Sequence, residues 1–188
     1  MKKLTIVLCI FCSAVYAQQD PQFTQNRFTQ AYINPGSVGH EGFLNFGLNG
    51  RIQWQDFDGA PFTTGFQGGM MLDNINSAIG LNYYYDQLGF ETNNVANLTY
   101  AYHLTLGPGK LGVGIQGGIV HKQLDAVWIT PGGTPDPSIP PPNSSDLAFD
   151  LGLGTMYYTD AFKVGLSMTH ILEPELTDVN VQLKRHYW

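Results

Sequence analysis

The five histidines and Ser167 are the first candidates for a catalytic or metal-binding site in this chain. No two of the histidines stand at the HxxxH or HExxH spacing that places metal ligands on one face; they are His40, His103, His121, His170 and His186. Ser167 lies near His170, but it lacks the GxSxG motif of a hydrolase of that kind. The spacing predicts no catalytic residue and no cofactor, and a metal site would have to arise from tertiary proximity alone.

Two short motifs could bind a phosphate or a cation. Gly107-Pro108-Gly109-Lys110 has the composition of a phosphate loop but lacks the Ser or Thr that follows the lysine in such loops. Asp56-Phe57-Asp58-Gly59 offers two carboxylates, but it lacks the spacing and the bidentate glutamate of a calcium loop. We interpret both motifs as turns, and we expect the protein not to be an enzyme.

The composition indicates which elements position these groups. The chain has 188 residues, of which 13% are charged and 22 are glycine. Nine Lys and Arg against 15 Asp and Glu give a net charge of −6, which argues against a nucleic-acid binder that contacts phosphates with clustered basic side chains. The mean hydropathy of −0.11 excludes a polytopic helical membrane protein.

The N-terminal residues have the three parts of a secretory signal peptide. Lys2-Lys3 is cationic, Leu4–Cys12 is apolar, and Val15-Tyr16-Ala17 offers a small residue for cleavage after Ala17. This pattern predicts a signal peptide over 1–17. The predicted division of the rest is a periplasmic segment over 18–41, called the lead-in below, and membrane strands over 42–188, which are predicted from the alternation described next.

Period-two alternation begins at Leu44 and predicts eight strands. In the first strand Leu44, Phe46 and Leu48 alternate with Asn45 and Gly47. The other strands are predicted at about 62–72, 77–86, 94–106, 110–124, 146–158 and 162–170, with an eighth from Gln182 to Trp188.

One face of each predicted strand is apolar, and the other carries Gly, Asn, Gln, Thr and Ser. An outer-membrane barrel has this pattern, because lipid covers its outside while its lumen is polar. A soluble β-sandwich, the alternative, usually places Lys, Glu and Asp on its outward face. The sequence predicts an all-β fold, an antiparallel transmembrane β-barrel in contact with outer-membrane lipid.

The connections alternate in length, as they do when periplasmic turns oppose extracellular loops. The short ones are Asp73–Asn76, Gly107–Gly109 and Thr159–Ala161, and the long ones lie at about 55–61, 87–93, 125–145 and 171–181. We therefore expect the first strand to run outward from the periplasm.

The polar face is too rich in glycine to fill a barrel of eight strands, whose interior side chains normally just fill. Either an inserted segment packs against these glycines, or the barrel has more strands than this chain supplies. The glycines are Gly47, Gly65, Gly69, Gly80, Gly112, Gly114, Gly118, Gly152, Gly154 and Gly165.

Several short stretches carry a family resemblance. They comprise Asp20, Pro21, Gln22, Phe23 and Gln25; Asn34, Pro35 and Gly39; Arg51, Gln53 and Trp54; Gly59 and Pro61; and Arg185, His186 and Tyr187. In this order they resemble the PorP/SprF family, an outer-membrane family of Bacteroidetes associated with the type IX secretion system and gliding motility.

The resemblance implies binding rather than catalysis. It implies that the chain assists the export or surface anchoring of a secreted cargo with a C-terminal sorting domain, and that it contacts periplasmic ring components of the secretion machinery. The implied contact residues are Asp20, Gln22, Gln25, Asn34 and Pro35, with the loops at 125–145 and 171–181. An alternative role for Asn34-Pro35 is structural, to start the barrel and plug its lumen.

The chain departs from the family at two places. The family usually has alanine where this chain has Gly36, and its members continue through further strands after Tyr187. We expect the chain to be the N-terminal part of such a protein, the alternative being a complete barrel that ends on the aromatic Trp188. The competing function is an outer-membrane channel or a small ligand-binding, porin-like barrel.

Overall fold

The computed structural model describes residues 20–21, 23, 28–126, 128 and 139–188. The predicted signal peptide, Gln22, Gln25 and most of the predicted loop at 125–145 lie outside the described residues. No helix in the described part of the chain is long and apolar enough to span a bilayer.

Eight strands form one antiparallel sheet, which confirms the all-β class predicted from the alternation. In order across the sheet they are β1 (Leu44–Ile52), β2 (Phe62–Leu72), β3 (Ser77–Leu88), β4 (Glu91–Leu106), β5 (Gly109–Leu124), β6 (Ser144–Tyr158), β7 (Lys163–Thr169) and β10 (His186–Tyr187). The two-residue strands β8 (Glu175–Leu176) and β9 (Val181–Gln182) pair only with each other.

The two faces of the sheet differ in polarity and in exposure. Large apolar side chains cover the outer face, where Leu48 is 78% and Phe149 is 72% exposed. The opposite face, called the inner face below, carries glycine and polar residues, and Asn82 and Thr99 are each only 1% exposed. A water-soluble sheet buries its apolar face instead, so the polarity of this sheet is reversed.

The sheet is open in the part of the chain that the structure describes. Strands β1 and β10 are its two edges, and they do not pair with each other. A closed barrel is therefore not formed by these eight strands, and the prediction of a barrel is confirmed only as far as an antiparallel sheet.

The predicted loop at 87–93 is wrong. β3 and β4 are joined by the two residues Gly89-Phe90, and Gly89 has the positive φ of 59° that tight hairpin turns require. The acidic residues on either side of this turn lie in the strands, and each has a partner in a neighbouring strand. Asp86 accepts a hydrogen bond from Thr63, and Glu91 forms an ion pair with Lys122. The strict alternation of short and long connections fails at this point.

The predicted eighth strand is also wrong in its extent. β9 ends at Gln182, and pairing with β7 begins only at His186: His186-Tyr187 forms β10, and Trp188 exchanges backbone hydrogen bonds of 3.0 and 3.1 Å with Ser167. Between β9 and β10, Arg185 donates from Nη2 to the carbonyl of Ile171 at 3.1 Å and from its backbone N–H to the Glu173 carboxylate at 3.4 Å. The backbone there is held by the preceding loop instead of by β7.

The helical elements are short, and most of them lie in the lead-in; outside it, a 3₁₀ turn over Asp73–Ile75 joins β2 to β3. A four-residue helix, α1 (Gln30–Ile33), is followed by a 3₁₀ turn over Pro35–Ser37. Two small apolar clusters lie between this segment and the inner face. They consist of Tyr32, Tyr84, Val95 and Val120, and of Val38, Met71, Ala78 and Ala101. The core of the protein is therefore the contact between the lead-in and the sheet.

Candidate functional site

The described part of the lead-in lies against the inner face, and side chains of the sheet donate to its backbone carbonyls. An irregular segment cannot pair its own carbonyls, so it can be buried only where other groups supply donors. The bonds run from Asn82 to Ala31 (3.1 Å), from Ser167 to Ile33 (2.6 Å) and from His103 to Val38 (2.8 Å). These donors make the polar inner face a specific binding surface for the lead-in, and this surface is called the seat below.

Asn34 holds the turn at the centre of this seat. Its Oδ1 accepts the backbone N–H of Gly36 at 2.9 Å, and its backbone carbonyl accepts the Ser37 hydroxyl at 2.7 Å. Its Nδ2 donates to the carbonyl of Thr155 in β6 at 3.0 Å. One end of the amide therefore shapes the turn, while the other end attaches it to the sheet.

Glycines on both sides of this contact allow the two backbones to approach. A Cβ added to Gly36 would lie 2.8 Å from the carbonyl oxygen of Gly112 and 2.9 Å from that of Gly154. The inner-face glycines whose added Cβ would meet the lead-in are Gly65, Gly69, Gly80, Gly112, Gly114, Gly154 and Gly165. Of the two alternatives for the glycine-rich face, packing of an inserted segment is therefore confirmed for these positions.

A cluster of four ionisable residues fastens the start of the described lead-in. The carboxylate of Asp20 contacts Nε2 of His170 at 2.9 Å and Nδ1 of His186 at 3.1 Å. Nδ1 of His170 contacts Oδ2 of Asp150, in β6, at 2.8 Å. These residues, called the Asp20 cluster below, come from the lead-in, the middle of β6, the end of β7 and β10.

The protonation of the Asp20 cluster follows from these contacts. Burial raises the pKa of Asp20, but hydrogen bonds from His170 and His186 and the charges of both rings outweigh it and hold that pKa well below its usual range. Burial lowers the pKa of His170, but its hydrogen bonds to Asp150 and Asp20 and their charges outweigh this and raise it. Without a further ligand, His170 is therefore a cation between two carboxylates.

His40 lies at the opposite end of the seat and is neutral. Its Nδ1 donates to the carbonyl of Ser37 at 2.7 Å, so its Nε2 accepts from the Lys163 ammonium at 2.6 Å. Burial and the charge of Lys163 lower the pKa of His40, and they outweigh the Ser37 hydrogen bond and the Glu41 carboxylate, which raise it. The seat thus has a charged histidine at one end and a neutral one at the other.

The structure divides the residues singled out in the sequence into three groups. At the inner face lie Asp20, Pro21, Phe23, Asn34, Pro35 and Gly39, and Phe23 stacks on Tyr32 with ring centroids 4.7 Å apart. In β1 and the turn after it lie Arg51, Gln53, Trp54, Gly59 and Pro61, where the Gln53 N–H donates to the Pro61 carbonyl at 3.0 Å. Near β7 lie Arg185, His186 and Tyr187, of which only His186 faces Asp20.

Asp150 and His170 are the site residues that sequence reasoning missed. Asp150 stands on the polar face of β6 and His170 directly follows β7. The alternation of side chains along the strands could therefore place both residues at the inner face, but it could not predict that Asp20 lies beside them. Ser167, considered as a nucleophile, instead donates to the carbonyl of Ile33.

Comparison with known proteins gave one match, to a family model. The sequence model of the type IX secretion system membrane protein PorP/SprF matches residues 15–188. Neither the curated proteins nor the solved structures that were searched gave a match. Because the match covers nearly the whole chain, the protein belongs to the PorP/SprF family of type IX secretion system membrane proteins.

Proposed function

We propose that this protein is a non-enzymatic outer-membrane component of the type IX secretion and gliding motility system, and that it assists the export or surface anchoring of a secreted protein with a C-terminal sorting domain. Membership of the PorP/SprF family supports the link to that secretion system. The observation that carries the outer-membrane part is the reversed polarity of the sheet.

A row of exposed apolar side chains along a strand is costly in water. In β1 the exposed residues Leu44, Phe46, Leu48 and Ile52 all stand on the outer face, and each is at least 64% exposed. Soluble monomers rarely leave such a continuous apolar surface uncovered. Lipid is the partner that suits it, because strands with apolar residues outside and polar residues inside are typical of outer-membrane proteins.

The seated lead-in supports the structural role of Asn34-Pro35. Asn34 is 4% exposed, and both ends of its side-chain amide are used within the protein. In this arrangement the lead-in covers the inner face. This covering favours an anchoring function over conduction of ions or small molecules. Contact with a partner then falls to residues outside the seat.

The turns at one end of the sheet offer such a surface. Trp54, Phe57 and Phe90 are 70%, 68% and 69% exposed, and the two turns that carry them are joined by a hydrogen bond from the Gly89 N–H to the Gly59 carbonyl at 3.1 Å. Trp and Phe side chains are enriched at protein interfaces relative to the rest of the surface. We place the cargo contact at these turns.

The test is the surface proteome of a strain that lacks the gene. We expect one large surface protein with a sorting domain to disappear from the cell exterior and to return when the native gene is restored. A strain carrying Trp54→Ala with Phe57→Ala should lose the same protein while the barrel protein itself stays in the outer membrane. An unchanged surface proteome, together with ion conductance of the purified protein in planar bilayers, would contradict the proposal in favour of a channel.

A further inference from the structure

The Asp20 cluster has the donor set of a metal site. Asp20, His170 and His186 each offer one ligand atom, and these three atoms lie within 4.8 Å of one another. Bonds of about 2.0–2.2 Å to a tetrahedral Zn²⁺ ion separate neighbouring ligand atoms by about 3.4 Å. Asp20 contacts the two rings through different oxygens, Oδ1 at 2.9 Å from Nε2 of His170 and Oδ2 at 3.1 Å from Nδ1 of His186, so binding an ion requires one of these oxygens to become the ligand and the rings to turn toward it.

Asp150 supplies the second requirement, a fixed orientation of a ligating ring. Its Oδ2 lies 2.8 Å from Nδ1 of His170, so Nδ1 carries the proton and Nε2 is turned toward Asp20 and His186. Metal-binding histidines commonly hold their second ring nitrogen on a carboxylate in this way, which raises the basicity of the ligating nitrogen.

Two buried acceptors next to the three ligand atoms, one on Asp150 and one on Gln116, point independently to a missing ligand. Within the described residues, neither Oδ1 of Asp150 nor Oε1 of Gln116 has a hydrogen-bond partner, although these residues are only 5% and 3% exposed. Both residues line a cavity of about 20 Å³ that Asp20 and His170 also line. A space of that size holds about one water molecule.

We propose that Asp20, His170 and His186 bind one divalent transition-metal ion, Zn²⁺ in the first instance, with a water molecule as the fourth ligand in the adjoining cavity. Two imidazoles and one carboxylate suit Zn²⁺, whereas Ca²⁺ and Mg²⁺ prefer oxygen ligands throughout. The metal-bound water donates its hydrogen bonds to Asp150 and Gln116 and so satisfies both unpartnered acceptors.

The ion would act as a cross-link. Its ligands stand at the start of the described lead-in, directly after β7 and in β10. One ion would therefore link the lead-in to the edge of the sheet. A metal held by distant parts of a chain stabilises the fold, because the assembled ligand set exists only when the chain is folded.

The test is Co²⁺ and Zn²⁺ binding by the full chain extracted from the outer membrane in detergent and stripped with a chelator. We expect one equivalent of Co²⁺ to give the visible absorption bands of a four- or five-coordinate ion, and Zn²⁺ to displace it and to raise the unfolding temperature. Asp20→Asn and His186→Gln should each weaken Co²⁺ binding by more than about 100-fold, since loss of even an outer partner typically costs 10–100-fold.

His121→Gln is the matched control, since His121 is a histidine of β5 outside the cluster, and it should bind Co²⁺ as the native chain does. Circular dichroism and the heat-dependent shift in gel mobility verify that each variant is folded. A native chain that gives no such Co²⁺ spectrum overturns the proposal. So do folded Asp20→Asn and His186→Gln variants that bind Co²⁺ as tightly as His121→Gln does.

Discussion

Nε2 of His170 lies 2.9 Å from Oδ1 of Asp20, although 150 residues separate the two in the chain. This contact is the most distant in sequence of those that hold the lead-in to β7, and His186 adds a second contact to the same carboxylate. The lead-in is therefore held by an ionic cluster at one end and by hydrogen bonds and packing along the rest of its length.

Replacing Asp20 with alanine should loosen that fastening. The change leaves the buried His170 ring without one of its two carboxylates, and hydrogen bonds between charged groups are worth about 2 kcal/mol each. We expect a decrease of about 2 kcal/mol or more in the free energy of unfolding, measured by urea titration in detergent, and faster protease cleavage within residues 18–41. Asp58→Ala, in the exposed turn after β1, is the control, and equal effects of the two substitutions would contradict the assignment.

Gly36→Ala should destabilise the protein. Its new Cβ would meet backbone atoms of Gly112, Gly154 and Met156 at 2.8–2.9 Å, and backbone cannot move aside as a flexible side chain can. Overpacking of this kind typically costs about 1–3 kcal/mol. Gly50→Ala is matched, because its Cβ would meet nothing within 4 Å. Thermal unfolding of the two variants should therefore differ, and a neutral Gly36→Ala would show that the lead-in can shift on the sheet.

Asn34 allows its two roles to be separated. Asn34→Asp keeps an oxygen that accepts the Gly36 N–H but loses the donor to Thr155, whereas Asn34→Ala loses both. Since an unsatisfied buried partner costs about 1–3 kcal/mol, we expect both variants to unfold at lower urea concentration. Hydrogen exchange should locate the loss. Asn34→Asp should speed exchange around Thr155 while the Gly36 amide stays protected, and exposure of that amide in Asn34→Asp would argue against the division of roles.

Acidification should weaken the end of the seat that carries His40. The pKa of His40 is lowered in the folded protein, chiefly by burial, so below about pH 6.5 the unfolded chain takes up more protons than the folded chain. Stability therefore falls as the pH drops through this range. Lys163, Glu41 and the Tyr158 ring face this imidazole. The native chain is compared with His40→Gln, because the other titrating groups are the same in both proteins. In urea titrations, the variant should lose less stability than the native chain between pH 7 and pH 5.

A charge on the outer face should prevent insertion into lipid. Leu48→Arg places a guanidinium near the middle of β1, where the cost in a bilayer reaches about 2–4 kcal/mol. Phe57→Arg is a suitable control, because Phe57 is also largely exposed but lies in the turn after β1. Folding into lipid vesicles, followed by the gel mobility shift, should fail or slow for Leu48→Arg alone. Equal insertion of both variants would indicate that this face does not contact lipid.

Much of the sheet could be predicted from the sequence, because period two is a local property. The ranges predicted for β2, β5 and β7 agree with the structure to within a residue or so at each end. The hairpin at Gly89-Phe90 was missed because Glu91, Thr92 and Asn93 have the composition of a loop, and only the partner of Glu91 in the neighbouring strand, Lys122, shows that this stretch belongs to the sheet.

The site could be predicted only in part. The glycine-rich face left two explanations open, an inserted segment or additional strands, and a plug at Asn34-Pro35 was one of two roles considered for the lead-in, whose lack of a periodic pattern could not decide between them. The Asp20 cluster could not be predicted from the sequence for a related reason. Its members are single residues spread over four elements, and neither spacing nor parity relates Asp20 to His170.

The distance in sequence between Asp20 and its partners also sets the order of folding. His170 and His186 follow Asp20 by 150 and 166 residues, so the lead-in cannot dock fully until β6, β7 and β10 are in place. Contacts of such long range close late, because the loop-closure entropy comes before the gain from contact. We therefore expect the lead-in to be one of the last parts of the fold to reach its final position.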